Sequence, residues 1–171
     1  MKNNKILLAY FTRKGHESTS NCAILAATAE NILKQKGVEF DTFAIEPVET
    51  YPEDQEQFLA VTKLEKENNA RPAIVGKYSG MKHIGGILLI VPNWWDCVPQ
   101  AVLTWLDDYD FSHTTIQPVI STTMPADNVE RELRNFVQND VLDAVEVKDV
   151  DTERAVAELE KAVESLLKAV E

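Results

Sequence analysis

Strand-like and helix-like segments alternate from one end of this chain to the other, and no other feature constrains its fold as strongly. Lys5-Ile6-Leu7-Leu8-Ala9-Tyr10-Phe11 and Ile87-Leu88-Leu89-Ile90-Val91 are apolar runs with the length and branching of strands buried on both faces. Residues 38–45, 115–121 and 144–147 supply three more strands. Pro118 is the one contrary signal, because a proline removes a ladder donor. Helical periodicity fills the intervals. Residues 21–36 place Cys22, Leu25, Ala29 and Ile32-Leu33 on one face, and Gly37 is set to end that helix in a left-handed cap. Further helices are predicted near 53–68, from Pro99 to about 107, from a cap at Asp127 or Asn128 to 137, and after a cap at Thr152. Five strands interleaved with helices predict an α/β fold, a doubly wound parallel sheet. No repeat or low-complexity linker divides the 171 residues, so a single domain is predicted.

Composition narrows the function classes. A formal charge of -11 argues against nucleic-acid binding and suits docking to basic proteins. No apolar run is long enough to span a membrane, and no signal-peptide pattern precedes the first strand. The two cysteines, Cys22 and Cys97, have no metal-type or CxxC spacing, which fits a reducing cytoplasm. Three scattered histidines offer no paired metal ligands, and no Gly-x-Ser-x-Gly elbow supplies a hydrolytic nucleophile.

Two loops carry the chemistry. After the first strand comes Thr12-Arg13-Lys14-Gly15-His16-Glu17-Ser18-Thr19-Ser20, which leads into a helix amino end, where unpaired N–H groups favour phosphate. Thr12, Ser18, Thr19 and Ser20 add hydroxyls, Arg13 and Lys14 add cations, and Gly15 allows close backbone approach. Ordinary N-capping asks for the same residue types. After the third strand comes Pro92-Asn93-Trp94-Trp95-Asp96, and all three tryptophans fall between positions 94 and 105. Open α/β sheets bind ligands at this edge, so the pair reads either as a platform for a flat ligand or as a lid on the core.

The order of short motifs resembles the flavodoxin-like family. Ala9-Tyr10-Phe11-Thr12-Arg13-Lys14-Gly15 looks like its Tyr-Phe-Ser-Arg-x-Gly opening. Glu46-Pro47-Val48-Glu49-Thr50-Tyr51-Pro52-Glu53-Asp54 and Asn69-Ala70-Arg71-Pro72 are similar to two consecutive family segments. Pro92-Asn93-Trp94-Trp95 and Leu106-Asp107-Asp108-Tyr109-Asp110-Phe111-Ser112 continue the series, which spans about residues 5–122. The resemblance implies a flavodoxin-like five-stranded sheet of order 2-1-3-4-5, for which flavodoxins are the standard instance. It also implies FMN held at the ends of strands one, three and four.

On that basis Trp94 and Trp95, with Pro92, Asn93 and Asp96, are expected at the flavin ring. Thr12 to Gly15 and Ser18 to Ser20 are expected at the phosphate, and Thr122 and Thr123 along the ring or ribityl chain. The implied function is an FMN-binding electron-transfer protein or a small flavin-dependent oxidoreductase. Its expected partner is a basic redox protein or a small quinone-type substrate, with an acidic rim of Asp96 and Asp107 to Asp110. Three departures support an alternative, a flavodoxin-fold interaction module that has lost FMN. The turn has Lys14-Gly15-His16-Glu17 where the family has Gly-Asn-Thr. Asp96 replaces the glycine that commonly follows the Trp pair. The loop Thr122-Thr123-Met124-Pro125-Ala126-Asp127 has no glycine.

Overall fold

The alternating runs pair as a parallel sheet in a computed structural model that describes residues 4–16 and 19–171. Its strands are β1 (Lys5–Phe11), β2 (Phe40–Ile45), β3 (Ile84–Pro92), β4 (Thr115–Ser121) and β5 (Val145–Val147). They lie in the order β2-β1-β3-β4-β5, every pairing parallel, as the sequence predicts. The helices are α1 (Asn21–Gln35), α2 (Gln55–Glu67), α3 (Gln100–Asp107), α4 (Asp127–Val137) and α5 (Glu153–Val170).

Successive strand residues point to opposite faces, which explains why the central runs are apolar throughout. Leu7, Ala9 and Phe11 of β1 join Ile87, Leu89 and Val91 of β3 in a core covered by α3 and α4. Ile6, Leu8, Leu88 and Ile90 point the other way, under α1 and α5. Each large aliphatic side chain buried this way contributes about 1.5–3 kcal/mol. α2 is largely exposed, since only Phe58 and Thr62 of its 13 residues are buried. No helix among the described residues is long and apolar enough to cross a membrane.

Several boundaries differ from expectation for physical reasons. β3 begins at Ile84, so Gly85 and Gly86 lie inside the strand rather than ahead of it. A Cβ on Gly86 would approach Leu166 Cδ1 and Val170 Cγ1 to 2.9 Å, so the glycine lets α5 lie close on the sheet. The predicted cap at Asp127 or Asn128 is not formed. Asp127 is the first helical residue of α4, and Glu146 instead accepts from the Ala126 N–H at 2.7 Å. The caps at Ser20, Asp54 and Thr152 are formed by their side chains. Pro118 is tolerated because its ladder position is already interrupted. Ile116 bridges Val141, β5 begins only opposite Val119, and Gln117 Nε2 fills the gap by donating to Pro118 O and Asp143 O.

Candidate functional site

The chain leaves β1 toward α1 on one face of the sheet and leaves β3 toward α3 on the other. Adjacent strands whose connections diverge leave a crevice beyond their carboxyl ends. A cleft of about 630 Å³ lies at this edge. Its lining includes Asn93, Trp95 and Asp96 after β3, Thr122 to Pro125 after β4, Lys148 after β5 and Asn21 at the start of α1. Asn93, Trp95, Asp96, Thr122 and Thr123 of the predicted ring-side residues therefore share one cavity. Pro92 ends β3 beside it, paired in register with Ser121.

The tryptophan pair divides into two roles. Trp94 and Cys97 exchange backbone hydrogen bonds at 2.8 and 3.1 Å, closing a two-residue hairpin turn at Trp95-Asp96. Both central residues have positive φ, 57° at Trp95 and 63° at Asp96, the geometry that favours glycine or asparagine. The family glycine thus has a conformational reason, and Asp96 meets it as one of the better-tolerated substitutes. Trp95 in the left-handed region costs of order 1–3 kcal/mol, and such strain persists only where its surroundings fix it.

Trp94 turns inward. Its ring makes edge contacts with Phe11 at 5.0 Å, Tyr51 at 5.6 Å and Phe58 at 5.0 Å. Trp95 turns outward and is 39% exposed, with its Nε1 donating to Thr62 Oγ1 at 2.9 Å. Lys66 donates to the Trp95 carbonyl, and the Asn128 amide donates to Asp96 Oδ2. The turn geometry makes a stability prediction: Asp96→Gly is expected to keep or raise stability by up to about 1 kcal/mol, whereas branched Asp96→Val is expected to lose about 1–3 kcal/mol. Urea unfolding of the two variants checks this, and equal stabilities would contradict the positive-φ assignment.

The turn after β1 is closed on itself. The His16 carbonyl accepts from Thr12 Oγ1 at 3.2 Å, Thr19 N at 3.2 Å and Ser20 N at 3.1 Å. Ser20 Oγ also caps α1 by accepting from Ala23 N at 3.1 Å. Three donors predicted for a phosphate therefore converge on one backbone oxygen. Gly15 supplies the positive φ of this turn, at 85°, and Lys14 is exposed. Ser18 lies outside the described residues. Arg13 differs from expectation: its guanidinium sits 4.2 Å from the centre of the Phe58 ring, and Nη2 donates to Pro52 O at 3.3 Å. The aromatic face and the carbonyl draw the cation into the motif at residues 46–54 and away from the turn.

Between the two loops, Asn93 Nδ2 donates to Thr122 Oγ1 at 3.3 Å, and Thr122 donates to Met124 O at 2.7 Å. Asn93 Oδ1 is buried and has no hydrogen-bond partner among the described residues. Cys97, beside the turn, donates from Sγ to Trp94 O at 3.1 Å. Burial first, and the nearby Glu132 carboxyl second, push its thiol up to about 11, so it stays protonated and inert at neutral pH. The predicted acidic rim is not continuous. Asp107 and Asp110 line a separate cavity with Phe111 and Phe136, and Asp107 is paired to Arg71 at 3.0 Å. Only Asp96 of that set lines the cleft.

Sequence reasoning missed Asn21, Lys148 and Thr62. Lys148 immediately follows the predicted fifth strand, so its place at the binding edge was available from topology. Thr62 carried no such signal, since it reads as one more inward position on an amphipathic helix.

The comparisons with known proteins agree with this architecture. The family model described as Flavodoxin matches residues 5–166. No curated protein sequence matches the chain. Among solved structures, a flavoprotein from Bacteroides eggerthii DSM 20697 superposes with a TM-score of 0.76 at 21% identity, covering 98% of each chain. A flavoprotein in complex with FMN from Lactobacillus acidophilus NCFM gives a TM-score of 0.65 at 15% identity, over 84% of this chain and 93% of that one. The apo form of an NADH:FMN oxidoreductase gives 0.63 at 13% identity, over 98% and 90%. At these identities the structural likenesses show the fold. The family model spans nearly the whole chain and shows more: the chain belongs to the flavodoxin family, whose cofactor is FMN.

Proposed function

We propose that this protein binds one FMN in the cleft at the carboxyl edge of β3 and β4 and transfers electrons through it. The observation that carries the reading is the pairing, in one cavity, of the exposed Trp95 indole with Asn93, whose buried Oδ1 has no partner among the described residues. The residues fit the group. The cleft volume is typical of small-molecule sites, Trp95 offers an aromatic face, and Asn93 offers an acceptor for a heteroaromatic N–H. Lys148 and the amino end of α1 at Asn21 place positive potential on the side where an anionic group would lie. Thr12, Thr19 and Ser20 hold the phosphate once the His16 carbonyl turns away from them. Bound FMN supplies the redox chemistry, and the chain supplies orientation and charge. Asp96 opposes negative charge on the reduced ring by like-charge repulsion.

Electrons pass either to a protein partner or to a small quinone-type substrate. The charge of -11 favours a basic protein partner, and two buried free thiols suit a reducing cytoplasm. One assay separates carrier from enzyme: quinone reduction by NADH or NADPH with no added reductase identifies an enzyme, and turnover only after a reductase is added identifies a carrier. The second reading, an interaction module without flavin, is favoured by the closed turn at His16. Comparing FMN with riboflavin tests it. A working phosphate turn makes FMN bind at least about tenfold tighter, as one or two charge-assisted hydrogen bonds would. Equal affinities indicate that the turn stays closed.

A further inference from the structure

Trp95 combines positive φ, 39% exposure and a position on the cleft, so neither its own backbone preference nor burial accounts for its orientation. The contacts that hold it come from α2. Thr62 Oγ1 accepts the indole N–H at 2.9 Å, Lys66 binds the Trp95 carbonyl, and the Lys63 ammonium lies 5.9 Å from the centre of the indole ring. Thr62 is itself fixed. It is 4% exposed, and its hydroxyl donates back to Phe58 O at 3.0 Å, which leaves an oxygen lone pair directed at the indole. An exposed helix that spends one of its two buried positions on a hydroxyl is poorly explained by packing alone.

We propose that Thr62 is a positioning residue for the flavin site. Its hydroxyl locks the Trp95 indole, and through it sets the orientation of the aromatic wall of the cleft. The proposal rests on the FMN reading above. Wild-type, Thr62→Val and Thr62→Ser proteins are compared at full length by two measurements. One is the Trp95 indole N–H resonance without FMN, assigned by its disappearance in Trp95→Phe; the other is FMN affinity by flavin fluorescence quenching.

Valine is expected to shift that resonance, speed its exchange with solvent, and weaken FMN roughly threefold to tenfold, the effect of one net hydrogen bond. Serine, which keeps the hydroxyl, is expected to restore both signals, an outcome that loss of packing would not produce. An unchanged resonance in Thr62→Val overturns the lock. A changed resonance with unchanged FMN affinity, or no recovery in Thr62→Ser, overturns the positioning role. If Thr62→Val does not fold, indole exchange in the wild type decides: protection supports the lock, and exchange at the solvent rate overturns it. Absence of FMN binding by the wild type removes the premise, and it is seen before any variant is compared.

Discussion

Trp95→Ala is expected to weaken FMN binding by roughly 5- to 100-fold, the range expected when a stacking aromatic is removed from a base-like ring. Stability is expected to change little, because the side chain is 39% exposed and the residue sits in a strained turn. Trp94→Ala is expected to behave in the opposite way. Its ring meets three aromatic neighbours edge-on, each such pair contributing about 0.5–1.5 kcal/mol beyond area burial, so its loss unfolds the protein more readily. FMN titration beside urea unfolding separates the two. Equal losses of affinity at matched stability would mean that the hairpin presents both rings to the ligand.

The largest effect on stability is expected at the third tryptophan. Trp105 is fully buried, stacked on Phe43 at 6.2 Å and flanked by Tyr109 at 5.3 Å and Phe111 at 6.0 Å. Trp105→Ala is expected to lose about 3–5 kcal/mol, a large share of the 5–15 kcal/mol that stabilises an ordinary domain. Trp105→Phe is expected to lose much less. Trp105 Nε1 is buried without a partner among the described residues, so phenylalanine removes an unsatisfied donor together with some packing. Urea midpoints measured without FMN check the ranking. If the phenylalanine variant were as unstable as the alanine variant, the indole N–H would have to be satisfied and the cavity term small.

These three residues show where the sequence was legible. Their clustering after β3 marked the binding edge, and Trp105 falls inside the helix predicted from Pro99 to about 107. Which of two adjacent tryptophans faces the cleft was not readable, because that depends on the positive φ values at Trp95 and Asp96. The family glycine at position 96 was the available clue to that backbone state. Strand order followed from alternation and motif order, while the start of β3 did not, since Gly85-Gly86 reads as punctuation until α5 is seen against Gly86. The turn after β1 had the composition of a phosphate cradle. Its closure on the His16 carbonyl is local, made by donors three and four residues away, whereas the diversion of Arg13 to Phe58 depends on tertiary contacts across more than 30 residues. The acidic segment at residues 107–110 was adjacent to the tryptophans in sequence, but α3 separates it from the cleft, and Asp107 and Asp110 line a different cavity.

The most direct measurement is a fluorescence titration of the wild-type apoprotein into FMN. One FMN is expected to bind per chain at about micromolar concentrations, with quenching of the flavin and a yellow complex that survives gel filtration. A colourless protein that leaves FMN fluorescence unquenched up to about millimolar protein would contradict the assignment of the Trp95–Asn93 cleft as a flavin site.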